Sequence, residues 1–258
     1  GSANVRLGAK TVFASILKAT DQALKMAGLE PSILKSTYAG FGLAGAVSEP
    51  LNRSITDFSH PFAGICIDND AVIACLGAHR GKNGAILILG TGSCAMLNSD
   101  NHFQVLGGWG LTISDHGSGA RLGLDFVRAA LAAFEGLTDS SPLSQAFMLQ
   151  HNNSPAQLLH WADSAKPRDF GKLVPLIIDY YRRSDPMALQ LVNDSLQDVA
   201  IVLQRLKKMG AKRISLMGGY ANFISPLVSD KFSELIVPTQ GDALDGAIIM
   251  ARNFANRN

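Results

Sequence analysis

The segment Ile86-Leu87-Ile88-Leu89-Gly90-Thr91-Gly92-Ser93-Cys94-Ala95-Met96-Leu97 is the most informative part of the chain. Four apolar residues form a run typical of a buried strand, a glycine turn follows, and a second strand-like run returns. Glycine lets the backbone approach an anion closely, and the turn amides and the hydroxyls of Thr91 and Ser93 can donate hydrogen bonds to phosphate. The segment therefore predicts a phosphate-binding turn at residues 90–93, although an ordinary hairpin turn would have the same composition.

Apolar patterns on both sides of this segment predict an α/β fold with sheets covered by helices. Thr11 to Met26 have the spacing of an amphipathic helix, and Ile65 to Ile67 form a short apolar run typical of a strand. After Leu122 the pattern changes to consecutive helices, the longest of which Asp185 can cap and Gly210 can end. Each of these helices has a proline where it could begin: Pro142, Pro155, Pro167 and Pro186.

The composition is that of a soluble globular protein. Of the 258 residues 47% are hydrophobic and 17% are charged, and the net charge of +2 argues against electrostatic binding of nucleic acid. No apolar run approaches the roughly 18 residues that a membrane span requires, and no secretion signal is recognisable. The odd number of widely spaced cysteines (Cys66, Cys75 and Cys94) suggests neither disulfides nor a metal motif, which is typical of a cytoplasmic protein. Together with the charge and the lack of a membrane span, this predicts a protein without a nucleic-acid or membrane partner.

Asp68-Asn69-Asp70 follows the strand-like run that ends at Ile67 and precedes a helical pattern. Ligands of α/β folds bind near the carboxyl ends of strands, where an aspartate can act as a general base. Asp70 is the candidate for this role. An aspartate in this position is also a good helix cap, and the pattern alone leaves both interpretations open.

Two further glycine-rich segments are candidate sites. In Gly107-Gly108-Trp109-Gly110-Leu111-Thr112-Ile113-Ser114-Asp115-His116-Gly117-Ser118-Gly119, so many glycines are costly to order in a mere connector. The alternative is that Asp115 caps a helix that starts near Gly117 and that Trp109 fills a gap in the core. The strand Ile214 to Met217 leads into Gly218-Gly219, which could let a flat ligand lie against bare backbone or simply form a tight turn.

In this order the segments resemble the BadF/BadG/BcrA/BcrD ATPase family of the sugar kinase, heat-shock chaperone and actin superfamily, and within it the bacterial glucosamine kinases. The resemblance runs over nearly the whole chain. It rests on Gly1-Ser2-Ala3-Asn4 with Leu7-Gly8, Gly90-Thr91-Gly92-Ser93-Cys94, Ser114-Asp115-His116-Gly117-Ser118-Gly119-Ala120, Pro167-Arg168-Asp169-Phe170-Gly171 and Asp242-Ala243-Leu244-Asp245-Gly246-Ala247.

The resemblance implies an actin-like, ribonuclease H-like α/β fold of two related domains around a nucleotide cleft. Domain I would comprise residues 1–80, with the C-terminal helix 243–258 packed back onto it, and domain II residues 81–242. The implied reaction is ATP-dependent phosphorylation of glucosamine at its 6-hydroxyl. N-acetylglucosamine is the alternative substrate, and the replacement by His116 of a glutamate common in N-acetylglucosamine kinases argues against it. A homodimer is one expected assembly.

The resemblance also implies roles for individual residues. Asp70 would be the catalytic base. The turn formed by Gly90, Thr91, Gly92 and Ser93 would bind phosphate, and Gly218 and Gly219 would bind the adenosine. The sugar pocket would include Asn4, Thr91, Trp109 and Asp115, where Asp115 accepts hydrogen bonds from ring hydroxyls.

The chain begins just after the position of the family's first phosphate hairpin, whose aspartate organises Mg²⁺. The resemblance implies ATP and Mg²⁺ as cofactors. Because the family's Mg²⁺ aspartate precedes the position of Gly1, we expect no metal ligand within this chain. Two other functions stay open: an ATPase that carries an iron-sulfur cluster on cysteines, and a sugar-binding protein without catalysis. Iron content would test the first, and sugar-dependent ADP production would test the second.

Overall fold

The structure is a computed structural model that describes residues 8–45, 57–228 and 232–257. These residues divide into two compact units. The first takes the described parts of residues 1–84 with 96–103 and 238–258, and the second takes 85–95 and 104–237. No helix in these ranges is both long and apolar enough to cross a bilayer.

The first unit is built on helix α1 (Ala9–Ala27) and a parallel pair of strands, β1 (Tyr38–Leu43) and β2 (Gly64–Asn69). One face of α1 packs with both strands in a core that includes Val12, Phe13, Ile16, Leu34, Leu43, Phe62 and Ile65. Gly28 ends α1 in the left-handed conformation at φ 65°, and its amide bonds back to the last turn. The predicted helix and strand are thus confirmed.

Two helices pack closely within this unit. Helix α2 (Asp70–Ala78) is buried from Ala71 onward, and helix α10 (Ala243–Ala255) lies against it. At the crossing, a Cβ on Gly246 would be 1.7 Å from the carbonyl oxygen of Ile73, and one on Gly77 would be 1.7 Å from that of Asp242. Both positions therefore require glycine, because any side chain would push the helices apart.

The second sheet has the order β5-β4-β3-β6. Its strands are β3 (Gly84–Leu89), β4 (Ser93–Ser99), β5 (His102–Gly107) and β6 (Ile214–Met217). Strands β3 and β6 are parallel, with Ala85 opposite Ile214, so their carboxyl ends lie side by side. The almost fully buried β3 explains why residues 86–89 are a continuous apolar run.

The helical part of the second unit follows its prolines. Proline is in the first turn of each of α4 (Pro142–Gln150), α5 (Pro155–Ser164), α6 (Pro167–Gly171) and α8 (Pro186–Lys208). A missing N–H costs nothing there, since the first amides of a helix have no partner within it. The remaining helices are α3 (Gly119–Phe134), α7 (Val174–Arg182) and α9 (Ala221–Ile224).

Helix α8 is the longest and begins as predicted. The buried carboxylate of Asp185 accepts a hydrogen bond from the Ala188 amide at 3.1 Å, and its second oxygen accepts one from the Leu143 amide at 3.0 Å. One side chain therefore caps both α8 and α4. Gly210, at φ 99°, follows the end of the helix.

Candidate active site

The turn between β3 and β4 lies against the first turn of helix α3. The turn is closed by a hydrogen bond from the Gly90 amide to the Gly92 carbonyl at 3.0 Å. The Gly90 carbonyl accepts a hydrogen bond from the Gly119 amide at 2.8 Å, and the Thr91 carbonyl accepts one from the Ala120 amide at 3.0 Å. The turn thus caps α3 with its carbonyl groups.

The amides at the start of α3 are all used within the protein. Besides Gly119 and Ala120, the Ser118 amide donates to the Asp115 carbonyl at 3.1 Å, and the Arg121 amide donates to the Ser118 hydroxyl at 3.1 Å. These four groups are the ones that a helix leaves without internal partners. A phosphate therefore does not find free helix amides at α3.

The turn keeps its own donors free at Thr91 and Gly92. The amides of these two residues are not hydrogen-bonded within the described part of the chain, and the Thr91 side chain is exposed. Ser93 differs: it is buried, and its hydroxyl donates to the His116 carbonyl at 2.7 Å. The hydroxyl predicted to bind phosphate is thus already engaged in holding the neighbouring segment.

The Gly218-Gly219 turn lies beside the carboxyl end of β3. Gly218 has φ 99°, and a Cβ there would be 2.5 Å from the Leu89 carbonyl oxygen, which also accepts a hydrogen bond from the Tyr220 amide at 3.0 Å. Gly219 is exposed, and a Cβ there would meet no atom within 4 Å. The ends of β3 and β6 thus bring the two glycine turns together.

Asp115 lies directly beside the turn between β3 and β4. It is only 6% exposed and has φ 61°, and a Cβ on Gly92 would be 3.0 Å from one of its carboxylate oxygens. Burial raises the pKa of this carboxyl above its ordinary 3.8, although hydrogen bonds from the Gly110 and Ser93 amides and the charge of His116 lower it. A side chain at position 92 would press on the Asp115 carboxylate, which would have to shift by a few tenths of an ångström.

The structural alternatives for this segment are wrong. Ser118, not Asp115, caps α3 through its side chain. Trp109 is 65% exposed rather than packed in the core, and Ile113 in the same loop is 79% exposed. The loop therefore presents the Trp109 side chain to solvent beside Asp115.

Asp70 is the first residue of α2 and belongs to the first unit. The cap is Asn69, whose side-chain oxygen accepts a hydrogen bond from the Ala71 amide at 2.8 Å; Asp70 Oδ1 lies 3.1 Å from the same nitrogen. The interpretation of Asp70 as the cap is therefore wrong. Its carboxylate is exposed at the carboxyl end of β2, where an α/β fold binds ligands.

Residues 1–247 match the family model described as the BadF/BadG/BcrA/BcrD ATPase family. The glucosamine kinase GspK of Vibrio cholerae is 38% identical over 251 residues, 97% of this chain and 85% of that protein. The chain belongs to the BadF/BadG/BcrA/BcrD ATPase family. The predicted resemblance is thus confirmed.

Two more relatives agree with the family and its fold. An N-acetylmuramic acid/N-acetylglucosamine kinase of Clostridium acetobutylicum is 26% identical over 207 residues, 73% of this chain and 67% of that protein. The crystal structure of a protein from Chromobacterium violaceum, provisionally described as an N-acetylglucosamine kinase, superposes with a TM-score of 0.84 at 26% identity, covering 97% of this chain and 88% of that one. The predicted actin-like ATPase fold is confirmed.

Some predicted site residues of this family member are not brought together by the structure. Asn4 lies outside the described residues. Asp70 and the turn at 90–92 belong to different units, so their predicted approach across a cleft stays a prediction. Thr91, Asp115, Gly218 and Gly219 all lie in the second unit, and Trp109 is on the exposed loop beside Asp115.

Sequence reasoning missed two residues that hold this site, Ser118 and Asp198. Ser118 followed by a helical pattern was a recognisable cap signal. Asp198 gave no signal, because it lies within a helix, 81 residues from the glycine whose amide it binds.

Metal binding can be tested against the side chains that are present. Within residues 8–45, 57–228 and 232–257 no group of three or more His, Cys, Asp or Glu could hold a metal ion. Mg²⁺ does not require such a group, since it usually keeps several waters and binds one or two carboxylates together with substrate phosphates. Among the described residues, Cys66, Cys75 and Cys94 form no disulfide.

Proposed function

We propose that the protein is an ATP-dependent kinase that phosphorylates glucosamine at its 6-hydroxyl, giving glucosamine 6-phosphate and ADP. One observation carries the proposal: the two glycine turns lie together at the ends of β3 and β6. One turn has free amides at Thr91 and Gly92, and the other has bare backbone at Gly219. Glucosamine is the preferred acceptor because GspK of Vibrio cholerae, at 38% identity, is more similar to this chain than the Clostridium acetobutylicum kinase, at 26%.

In the second unit each proposed role is assigned from the hydrogen-bond donors, the acceptors or the bare backbone that a residue offers. The Thr91 hydroxyl and the amides of Thr91 and Gly92 bind nucleotide phosphate. Gly218 and Gly219 lie under the adenosine, and Asp115 accepts hydrogen bonds from sugar hydroxyls beside Thr91 and Trp109. Asn4, outside the described residues, stays a predicted ligand of the sugar. Ser93 contributes by holding the His116 carbonyl, which fixes the segment that carries Asp115.

Asp70 is the proposed general base. As the sugar 6-oxygen attacks the γ-phosphorus of ATP, its proton passes to the Asp70 carboxylate. The new oxygen–phosphorus bond forms while the bond from the γ-phosphorus to the bridging oxygen breaks, and ADP leaves with that oxygen. Phosphoryl transfer needs little covalent help, so alignment of sugar and nucleotide supplies most of the catalysis.

The proposed function also includes a metal ion, a cellular compartment and an assembly. Mg²⁺ neutralises charge on the phosphates when bound, and we propose that it enters with ATP and takes no ligand from the described residues. The kinase is proposed to act in the cytoplasm as a homodimer of two-domain subunits, divided at residues 1–80 with 243–258 and 81–242. Light scattering of the purified protein tests the dimer.

N-acetylglucosamine is the second candidate substrate, because the Clostridium acetobutylicum relative is named for that sugar as well as for N-acetylmuramic acid. A coupled assay of ADP production with glucosamine, N-acetylglucosamine and glucose as acceptors tests both. We expect the highest kcat/KM for glucosamine. A higher value for N-acetylglucosamine would reassign the substrate, and no sugar-dependent ADP production would remove the kinase proposal in favour of a sugar-binding protein.

A further inference from the structure

Asp198, on the middle of helix α8, directs both carboxylate oxygens at the turn that follows Asp115. Oδ2 accepts a hydrogen bond from the Gly117 amide at 3.4 Å, and Oδ1 lies 3.8 Å from Nδ1 of His116. The side chain is 26% exposed, so these contacts are partly shielded from water. Asp198 thus contacts the two residues that follow the proposed sugar ligand.

This turn has a backbone that would not hold its shape alone. Asp115 has φ 61°, a left-handed conformation that a residue other than glycine keeps only when its surroundings enforce it. Gly117 has φ 69°, and a Cβ there would be 2.6 Å from the Val199 side chain. Because Gly117 has no side chain, the turn packs directly against α8, within reach of Asp198.

The opposite side of the turn is held by the phosphate turn. The Ser93 hydroxyl donates to the His116 carbonyl at 2.7 Å, and Gly92 faces the Asp115 carboxylate. The Asp115–Gly117 turn is thus clamped between α8 and the residues proposed to bind phosphate. The Ser93 hydroxyl binds the His116 carbonyl and the Asp198 carboxylate binds the Gly117 amide. The two anchors therefore fix the turn from two directions.

We propose that Asp198 is a positioning residue for sugar binding: it anchors the Asp115–Gly117 turn to α8 and thereby holds the Asp115 carboxylate in the orientation that the sugar hydroxyls require. The inference rests on the proposed function and deepens it. Asp198 does not contact the sugar, so its effect passes through Asp115. Preorganisation of this kind strengthens binding, because the turn need not be ordered when the ligand arrives.

The chain offers a matched control one turn earlier on the same helix. Asp194 and Asp198 line one cavity of about 260 Å³, together with Arg121, Asp125 and Ser195. Arg121 is paired with Asp125 at 2.7 Å, and Asp194 bonds to Gln190 at 2.9 Å. Removing Asp194 therefore changes the charge of the cavity by the same amount but leaves the Asp115–Gly117 turn untouched.

The test compares Asp198→Ala, Asp198→Asn and Asp194→Ala in steady-state assays with glucosamine and ATP. We expect Asp198→Ala to raise the glucosamine KM roughly tenfold, with kcat and the ATP KM within about twofold of wild type. Asp198→Asn, which keeps an oxygen to accept the Gly117 amide, should recover most of this loss. Asp194→Ala should change no constant by more than about twofold. An unchanged glucosamine KM in folded Asp198→Ala, or an equal rise in Asp194→Ala, overturns the proposal.

A second measurement keeps this inference separate from the proposed function. Amide hydrogen exchange at Gly117 and Ser118 should be faster in Asp198→Ala than in wild type, and unchanged in Asp194→Ala. If wild type phosphorylates no amino sugar, the proposed function fails alone, and the exchange data still decide whether Asp198 anchors the turn. If Asp198→Ala does not fold, Asp198→Asn is compared with wild type. Equal amide exchange and an equal sugar KM in the two proteins support the uncharged hydrogen bond to Gly117 as the anchor. A tenfold rise in the sugar KM of Asp198→Asn while the Gly117 and Ser118 amides stay protected overturns the proposal.

Discussion

Asp70 is the residue on which proposed turnover depends most directly. It is exposed at the start of α2, where Asn69 is the cap, and its carboxylate accepts a hydrogen bond from the Ala71 amide at 3.1 Å that an asparagine oxygen can also accept, so Asp70→Asn should stay folded. We expect Asp70→Asn to retain sugar binding by calorimetry and to lower kcat by about 10² to 10⁴, the usual range for a general base. Asp163→Asn, at an exposed helical position, is the control. Near-normal turnover of Asp70→Asn would remove this residue from the role.

Asp115 predicts a pH dependence of stability. Burial raises the pKa of its carboxyl, so the folded protein holds this proton more tightly than the unfolded chain, in which an aspartate has a pKa of about 3.9. The stability that it contributes is fully present below about pH 3.9 and is lost as the pH rises through the folded-state pKa.

Urea denaturation of wild type and Asp115→Asn between pH 3.5 and 7 measures this effect, with pH values chosen on the scale of ordinary aspartate titration. We expect the unfolding free energy of wild type, relative to that of Asp115→Asn, to fall as the pH rises. A difference that stays constant, or rises, would contradict the assigned direction of the pKa shift.

The turn after β6 predicts opposite results for two adjacent glycines. A methyl group at Gly219 meets no protein atom within 4 Å. Gly218 has φ 99°, and a methyl group there collides with the Leu89 carbonyl oxygen. We expect Gly219→Ala to leave the unfolding free energy within about 0.5 kcal/mol but to raise the ATP KM several-fold at an unchanged glucosamine KM. Gly218→Ala should lose at least about 1 kcal/mol of stability. An ATP KM that Gly219→Ala leaves unaltered would place the adenosine elsewhere.

Asp185 predicts the strength of the connection between two helices. Because its buried carboxylate accepts amides from both α4 and α8, Asp185→Ala leaves two buried N–H groups without partners. We expect a loss of about 3 kcal/mol in urea unfolding. Ser154→Ala, which removes an exposed single cap with a 3.4 Å hydrogen bond to the Gln157 amide, should cost about 0.5 kcal/mol. Equal losses in the two variants would argue against the double cap.

At the scale of the whole molecule, the first unit depends on a contact between helices that are far apart in the chain. Gly246 lets α10 lie against the backbone of α2, and a Cβ there would overlap the Ile73 carbonyl. We expect Gly246→Ala to destabilise the protein by about 1 to 3 kcal/mol, the usual range for overpacking. Ile248→Ala, on the half-exposed side of α10, should cost less than about 1 kcal/mol. Thermal unfolding measures both, and a neutral Gly246→Ala would mean that the helices pack less closely.

Local patterns predicted the elements well because their causes are local. The prolines at 142, 155, 167 and 186 mark helix starts since a helix tolerates proline only there, and the apolar run 86–89 is a buried strand. Side-chain partners distant in sequence were not predicted. The role of Ser93 toward phosphate stays a prediction, whereas its hydrogen bond to the His116 carbonyl joins residues that only folding brings near.

The amino-acid sequence by itself determined the family, the α/β class and which segments carry glycine turns, because spacing, turn chemistry and motif order are properties of the chain. Only the tertiary structure decided which donors in those segments stay free. Carbonyl groups of the turn between β3 and β4 accept the Gly119 and Ala120 amides of α3, and Asp198 reaches Gly117 across 81 residues. Hydrogen-bond partners distant in sequence are set by how the elements pack, and no local pattern encodes that packing.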